Sequence, residues 1–238
     1  MYPFKAGREA PLSWLQLALV LMLYFGLYLT LGSYILSTIT LLFHGDEKLF
    51  MIIQAVYYLI MSGLIYALIH PVFTESDVFY MENRKDNFLY AFKTIGRMFL
   101  FMLAMNTLLN LITGQETSDN QGNVNSLLFS YPYIMIPFST LLAPWCEEMV
   151  FRGTVYRKLR ERSFLLANTV SALLFGFVHV SAAFQSGNLK DLAYIIVYAG
   201  LGMFLNDAYE KSGSLYTAIS IHMFINLFSV VVNILSIL

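Results

Sequence analysis

Charge is what this sequence has least of: of 238 residues only 12% are Asp, Glu, Lys or Arg, about half the share of roughly 25% usual in a soluble domain. The rest is 58% hydrophobic, with 20 Phe, 16 Tyr and 12 Met. So few polar side chains cannot clothe a soluble globule, and most of the exterior must face lipid. Cysteine is nearly missing, and Cys146 alone excludes an internal disulfide framework. High apolar content throughout excludes disorder, and a net charge of -1 gives no bulk pull toward nucleic acid. There is no internal repeat of the kind that builds many transporters. Also missing are a G-x-G-D segment for an aspartyl dyad, the serine of a G-x-S-G loop and an H-E-x-x-H helix.

What is there is a succession of apolar runs, each near the roughly 20 residues a helix needs to cross the hydrocarbon. They are continuous rather than alternating, which argues for helices over barrel strands. Seven spans are predicted: Leu12 to Phe43, Leu49 to Phe73, Phe88 to Ile112, one from Leu127 bent or broken by Pro132, Pro137 and Pro144, Ser163 to Ala183, Leu192 to Leu205, and Leu215 to Leu238. The second should end where His70-Pro71 weakens the helix. Thr113 to Ser126 reads as a loop. The expected fold is an all-α polytopic membrane bundle of about seven helices. Residues 1–126 hold the first three and residues 127–238 a four-helix core. With seven spans, twelve of the fourteen basic residues fall on the N-terminal side and only Lys48 and Lys190 opposite. By the positive-inside rule the N-terminus, with Lys5 and Arg8, is cytosolic.

Ionisable groups within a span cost several kcal/mol, so each calls for a partner or a task. Adjacent carboxylates at Glu147 and Glu148 precede Arg152. Glu148 and Arg152, four apart, can pair on one helix face, whereas Glu147 is turned about 100° away and is free to meet another neighbour. His179 follows Gly176, a small residue that lets another helix approach closely. His222 and Asn226, also four apart, share a face of the last span. At 1.5 Å per residue, Glu147 and His179 lie roughly equal distances, about 20–25 Å, from the turn near residues 160–163. His222 reaches their level if the fourth and fifth helices project beyond the membrane.

The set Glu147-Glu148-x-x-x-Arg152, Phe175-x-x-x-His179 and His222-x-x-x-Asn226, in this order on successive apolar helices, resembles the CPBP family of intramembrane proteases, named for CAAX proteases and bacteriocin-processing proteins. The similarity covers about Leu141 to Phe228. A further, looser element matches Gly200-Leu201-Gly202 through Asn206-Asp207 and Glu210. The resemblance implies hydrolysis of a peptide bond within the membrane, a reaction that needs a base for water and donors for the developing oxyanion. On this reading Glu147 is the base and His179 its partner on the water. His222 and Asn226 donate to the oxyanion, while Glu148, held by Arg152, fixes the helix and tunes its neighbour.

No cofactor is favoured, but a Glu with two His, taken as Glu148, His179 and His222, could make the open site of a catalytic zinc. Cys146 reads as a small buried hydrophobe. His44 and His70 read as interfacial residues, and Tyr57, Tyr58, Tyr131 and Tyr133 as belt or packing aromatics. The basic cluster from Arg157 to Arg162 reads as an orientation signal at anionic headgroups. Expected partners are membrane lipid and a peptide or protein substrate, such as a prenylated tail, a pheromone or a bacteriocin-type peptide. A bacterial plasma membrane is the expected location. The competing reading is a catalytically silent binding protein, for example one conferring immunity to a bacteriocin. The oligomeric state is left open.

Overall fold

The computed structural model describes residues 11–42 and 46–236. Lys5, Arg8 and His44 lie outside the described residues. Every regular element among those described is a helix. Helix α1 (residues 14–42) starts in a reciprocal cap between Ser13 and Gln16 and widens into π-turns over Met22–Leu31. The next are α2 (Glu47–Glu82), α3 (Arg84–Thr113) and α4 (Asp119–Ser130), then a composite rod α5 (Pro132–Arg160). After α6 (Phe164–His179) and the short α7 (Ser181–Ser186) and α8 (Leu189–Leu192) come α9 (Ile195–Ser212) and α10 (Leu215–Leu235). Among the described residues six segments are long and apolar enough to cross a membrane, and the 16-residue α6 is a shorter apolar helix. The chain is a multi-pass membrane protein with an all-α bundle.

Two expectations fail. Pro71 does not end the second span: α2 runs 36 residues, to Glu82, about 54 Å at 1.5 Å per residue, well beyond a bilayer core of roughly 30 Å. Tertiary contacts hold the turns after Pro71. Ser76 Oγ donates to the Val72 carbonyl (2.7 Å) and accepts the Leu215 amide (3.0 Å), while the Ser76 carbonyl accepts from Ser214 Oγ (2.9 Å). His70 is therefore inside a helix, edge-on to Tyr66. The stretch read as a loop is a loop only from Gly114 (φ 73°) to Ser118. Ser118 Oγ then accepts the Gln121 amide (3.1 Å) and starts α4. Polar residues mask its periodicity, because only its second half carries the apolar face that meets Met51, Met135 and Val230.

The basic cluster is also turned inward more than expected. Arg157, 3% exposed, donates to Glu75 of α2 (2.7 Å) and to the Tyr209 hydroxyl (2.9 Å). Arg160 pairs with Glu210 (2.9 Å), and Lys158 pairs with Glu161 and lies over Trp14. A buried guanidinium needs a counter-charge more than it needs lipid. These pairs fasten the projecting ends of α2, α5 and α9 together.

The closest helix approach is α6 against α9, and glycine makes it possible. A Cβ on Gly176 would stand 3.0 Å from the Ala199 nitrogen and one on Gly202 3.1 Å from Ala172 Cα. The first helices are packed into the same core as the later ones: Val20, Tyr24 and Ile65 share one buried cluster with Met149, Phe151 and Phe175. This arrangement fixes the polar face of α5 between α6, α9 and α10.

Candidate active site

The prolines of α5 shape the site. After Pro137 the rod widens into π-turns over Phe138–Leu142, where the Ala143 amide donates to the Phe138 carbonyl. In that register the Ser139 carbonyl would look to residue 144, a proline with no N–H. Asn226 Nδ2 supplies the donor instead, at 2.9 Å. A second wide stretch, Phe151–Tyr156, follows the carboxylates. Its loosened carbonyls are taken up by hydroxyls, Thr154 Oγ1 on Met149 and Ser171 Oγ on Phe151. At the prolines the rod continues as a helix with wide turns.

Between these wide turns the helical spacing divides the two glutamates. Glu148 Oε1 accepts from Arg152 Nη1 (2.9 Å), and both side chains are fully buried. Arg152 spends its other donors on the Asn206 carboxamide oxygen (3.1 Å) and the Gly202 carbonyl (2.8 Å), and its guanidinium lies 4.7 Å from the centre of the Phe175 ring. Asn206 in turn accepts from Ser171 and donates to the Asn168 carbonyl and side chain. His222 Nδ1 meets the same Glu148 oxygen at 2.8 Å. Glu148 Oε1 is thus the hub of this network, while the buried Oε2 has no hydrogen-bond partner.

Glu147 faces the other way, onto a cavity of about 530 Å³ that His179, His222 and Asn226 also line. Its Oε2 lies 4.0 Å from His179 Nε2 and 3.8 Å from His222 Nε2. Those gaps exceed a direct hydrogen bond and suit one bridging water. The His179 Nδ1 contacts the Phe175 carbonyl at 2.8 Å, and a carbonyl only accepts, so the proton of the neutral ring sits on Nδ1 and leaves Nε2 as an acceptor. His222 Nδ1 facing the Glu148 carboxylate assigns the proton there by the same logic. Phe175 packs against both rings, with centroids 4.5 Å from His179 and 5.7 Å from His222.

All six residues singled out in the sequence come to this place. Asn226 does so with one N–H committed to Ser139. Some contributions were missed or read differently. Tyr198 looks like an ordinary helical residue, while Gly202 and Asn206, noted only as part of the looser motif, turn out to hold Arg152. Tyr24 and Tyr28 bring the first helix to the cavity wall, and Tyr58, stacked on Tyr28 with centroids 4.0 Å apart, lines it too. Cys146 is free and buried, with no access to the cavity contents.

Of the three residues of the zinc alternative, Glu148 presents an oxygen that already serves Arg152 and His222 Nδ1.

A model of the family described as Rce1-like, type II CAAX prenyl endopeptidase, matches residues 129–228, the stretch that carries every motif above. That segment is similar to this family of membrane endopeptidases. Among curated relatives, the membrane-embedded CAAX protease MroQ of Staphylococcus aureus is 30% identical over 142 residues, covering 57% of this chain and 53% of that one. The UPF0177 protein YvdC of Lactococcus lactis is 26% identical over 140 residues, covering 58% and 51%. A putative membrane peptidase of Bacillus subtilis, YdiL, is 26% identical over 121 residues, covering 50% and 45%. The chain spans about half the length of the curated relatives it matches. No solved structure matches it. The matched segment runs from the end of α4 through most of α10, and the helices before it supply cavity wall and cover.

Proposed function

We propose that this protein is an intramembrane endopeptidase that splits a peptide bond with a water activated by Glu147 and His179. The observation that carries the proposal is the Glu147 carboxylate, on a cavity wall, with two imidazole Nε2 atoms 4.0 and 3.8 Å away. A water in that gap donates one proton to Glu147 and hydrogen-bonds to His179 Nε2 with the other. Attack on the amide carbon turns its carbonyl oxygen into an oxyanion. His222, with Nδ1–H on Glu148, serves that oxyanion when Nε2 also carries a proton, and the Glu148 carboxylate is then its counter-ion. The remaining N–H of Asn226 is the second donor. Glu147 returns its proton to the leaving amine, which completes hydrolysis with no group other than water consumed.

Arg152 is the electrostatic floor of this site, paired with Glu148 and not touching substrate. The route needs no metal. The substrate is a membrane-associated peptide or protein with an apolar segment, in the class of prenylated tails, pheromones and bacteriocin-type peptides. The protein resides in a bacterial plasma membrane with its N-terminus in the cytosol. The test compares, by mass spectrometry, the small membrane peptides of cells expressing the intact protein or its Glu147→Gln variant at equal levels. Peptides that appear with the first and not the second are expected. Identical profiles, with an intact fold in both, would overturn hydrolysis in favour of a role in binding.

A further inference from the structure

We infer that Tyr198 is a positioning residue that joins the helix covering the cavity to the imidazole of His179. The inference rests on the reading of His179 as the partner of the attacking water. Tyr198 stands on α9 and its ring lies parallel to His179, with centroids 4.4 Å apart and planes 23° from each other. The imidazole is therefore held by three contacts: the Nδ1–H bond to the Phe175 carbonyl, the Phe175 ring on one side and the Tyr198 ring on another. Together they aim Nε2 at Glu147.

The hydroxyl of the same tyrosine reaches the opposite structure. It is 2.7 Å from Ser118 Oγ and accepts from Asn120 Nδ2 at 3.3 Å. Ser118 is the N-cap of α4, and Asn120, Gln121 and Val124 of that helix line the cavity. The start of α4 is further tied to the segment before α9. The Asp119 amide donates to Asp191 Oδ1 (2.7 Å), Asn188 Nδ2 donates to Asp119 Oδ2 (2.9 Å), and the Tyr194 hydroxyl donates to the Gln115 carbonyl (3.1 Å). Of these ties, only Tyr198 also touches a residue of the reacting centre. Moving α4 to admit a peptide strips the hydroxyl of its partners and frees the ring that sets His179. The cover and the imidazole move as a coupled pair.

The two ends of Tyr198 can be separated. Tyr198→Phe keeps the stack and loses the hydroxyl; Tyr198→Leu loses both. The full chain, in lipid nanodiscs, is labelled with nitrogen-15 histidine, and the His179 ring signals are identified by their loss in His179→Gln. The wild type is expected to show the Nδ1–H tautomer alone, Tyr198→Phe a minor share of the other tautomer, and Tyr198→Leu a larger share of it. Hydrogen exchange of the backbone amides in residues 118–126 should rise about tenfold or more in both variants. The double variant Ser118→Ala, Asn120→Ala should raise it similarly from the cover side, and so keeps the test available if the leucine variant does not fold. An unchanged His179 tautomer in folded Tyr198→Leu, or unchanged exchange in Tyr198→Phe or the double variant, would overturn the coupling. Neither readout uses peptide cleavage, so a failure of hydrolysis itself, seen as identical peptides with Glu147→Gln, is told apart from a failure of this inference.

Discussion

The two sides of α5 that carry the adjacent carboxylates differ in how fully they are satisfied. On one side Glu148, Arg152, Asn206 and Ser171 close a network with no exposure to solvent. On the other side Glu147 has only imidazole nitrogens 3.8–4.0 Å off and a cavity in front of it. The residues are chemically identical and one position apart. A turn of about 100° decides that one is scaffold and the other reagent. The saturated side makes the open side tolerable, because a second buried carboxylate without fixed counter-charge nearby would be expelled or neutralised.

The largest expected effect falls on the saturated side. Arg152→Met leaves Glu148 buried without its cation and should cost about 3–5 kcal/mol of stability, read as a lower melting temperature in detergent. A melting temperature equal to the wild type would show that the network is not structural. Next, Gly176→Val pushes side-chain carbons into the Ala199 backbone and should cost about 1–3 kcal/mol through overpacking. It should also lower cleavage, since α6 carries His179; a variant with full stability would mean that α6 and α9 can separate freely. Asn226→Ala leaves the Ser139 carbonyl without its donor, at a cost of about 1–3 kcal/mol, and removes an oxyanion donor, worth about 10²–10³-fold in turnover where one has been deleted elsewhere. Loss of stability with no loss of turnover would confine Asn226 to the backbone role. The smallest effect is expected from chelation. Prolonged treatment with a zinc chelator should leave peptide processing unchanged, and activity lost and then restored by zinc alone would contradict the water-only route.

Much of this was legible in the sequence where the physics is local. Helical spacing separated Glu147 from Glu148, paired the latter with Arg152, and put His222 and Asn226 on one face. Gly176 announced a close helix approach, and the prolines of α5 announced its irregular turns. What was hidden depends on partners far along the chain. Pro71 reads as a stop until Ser76 finds Ser214 and Leu215 from α10. Helix α4 reads as a loop because its first turns are polar and its apolar face is short. Arg157 reads as a headgroup contact because Glu75 lies 82 residues away. Tyr198 gave little sign of itself, since one tyrosine in an apolar helix has many ordinary uses.

The claim on which the account rests is that Glu147, and not its neighbour, performs the chemistry. It is tested most directly by purifying the wild type and Glu147→Gln, reconstituting both in liposomes, and measuring melting temperature and peptide cleavage on the same samples. The account predicts equal melting temperatures and a fall in cleavage of about 10²–10⁴-fold, the usual worth of a general base. Cleavage retained at the wild-type rate in the folded variant would contradict it.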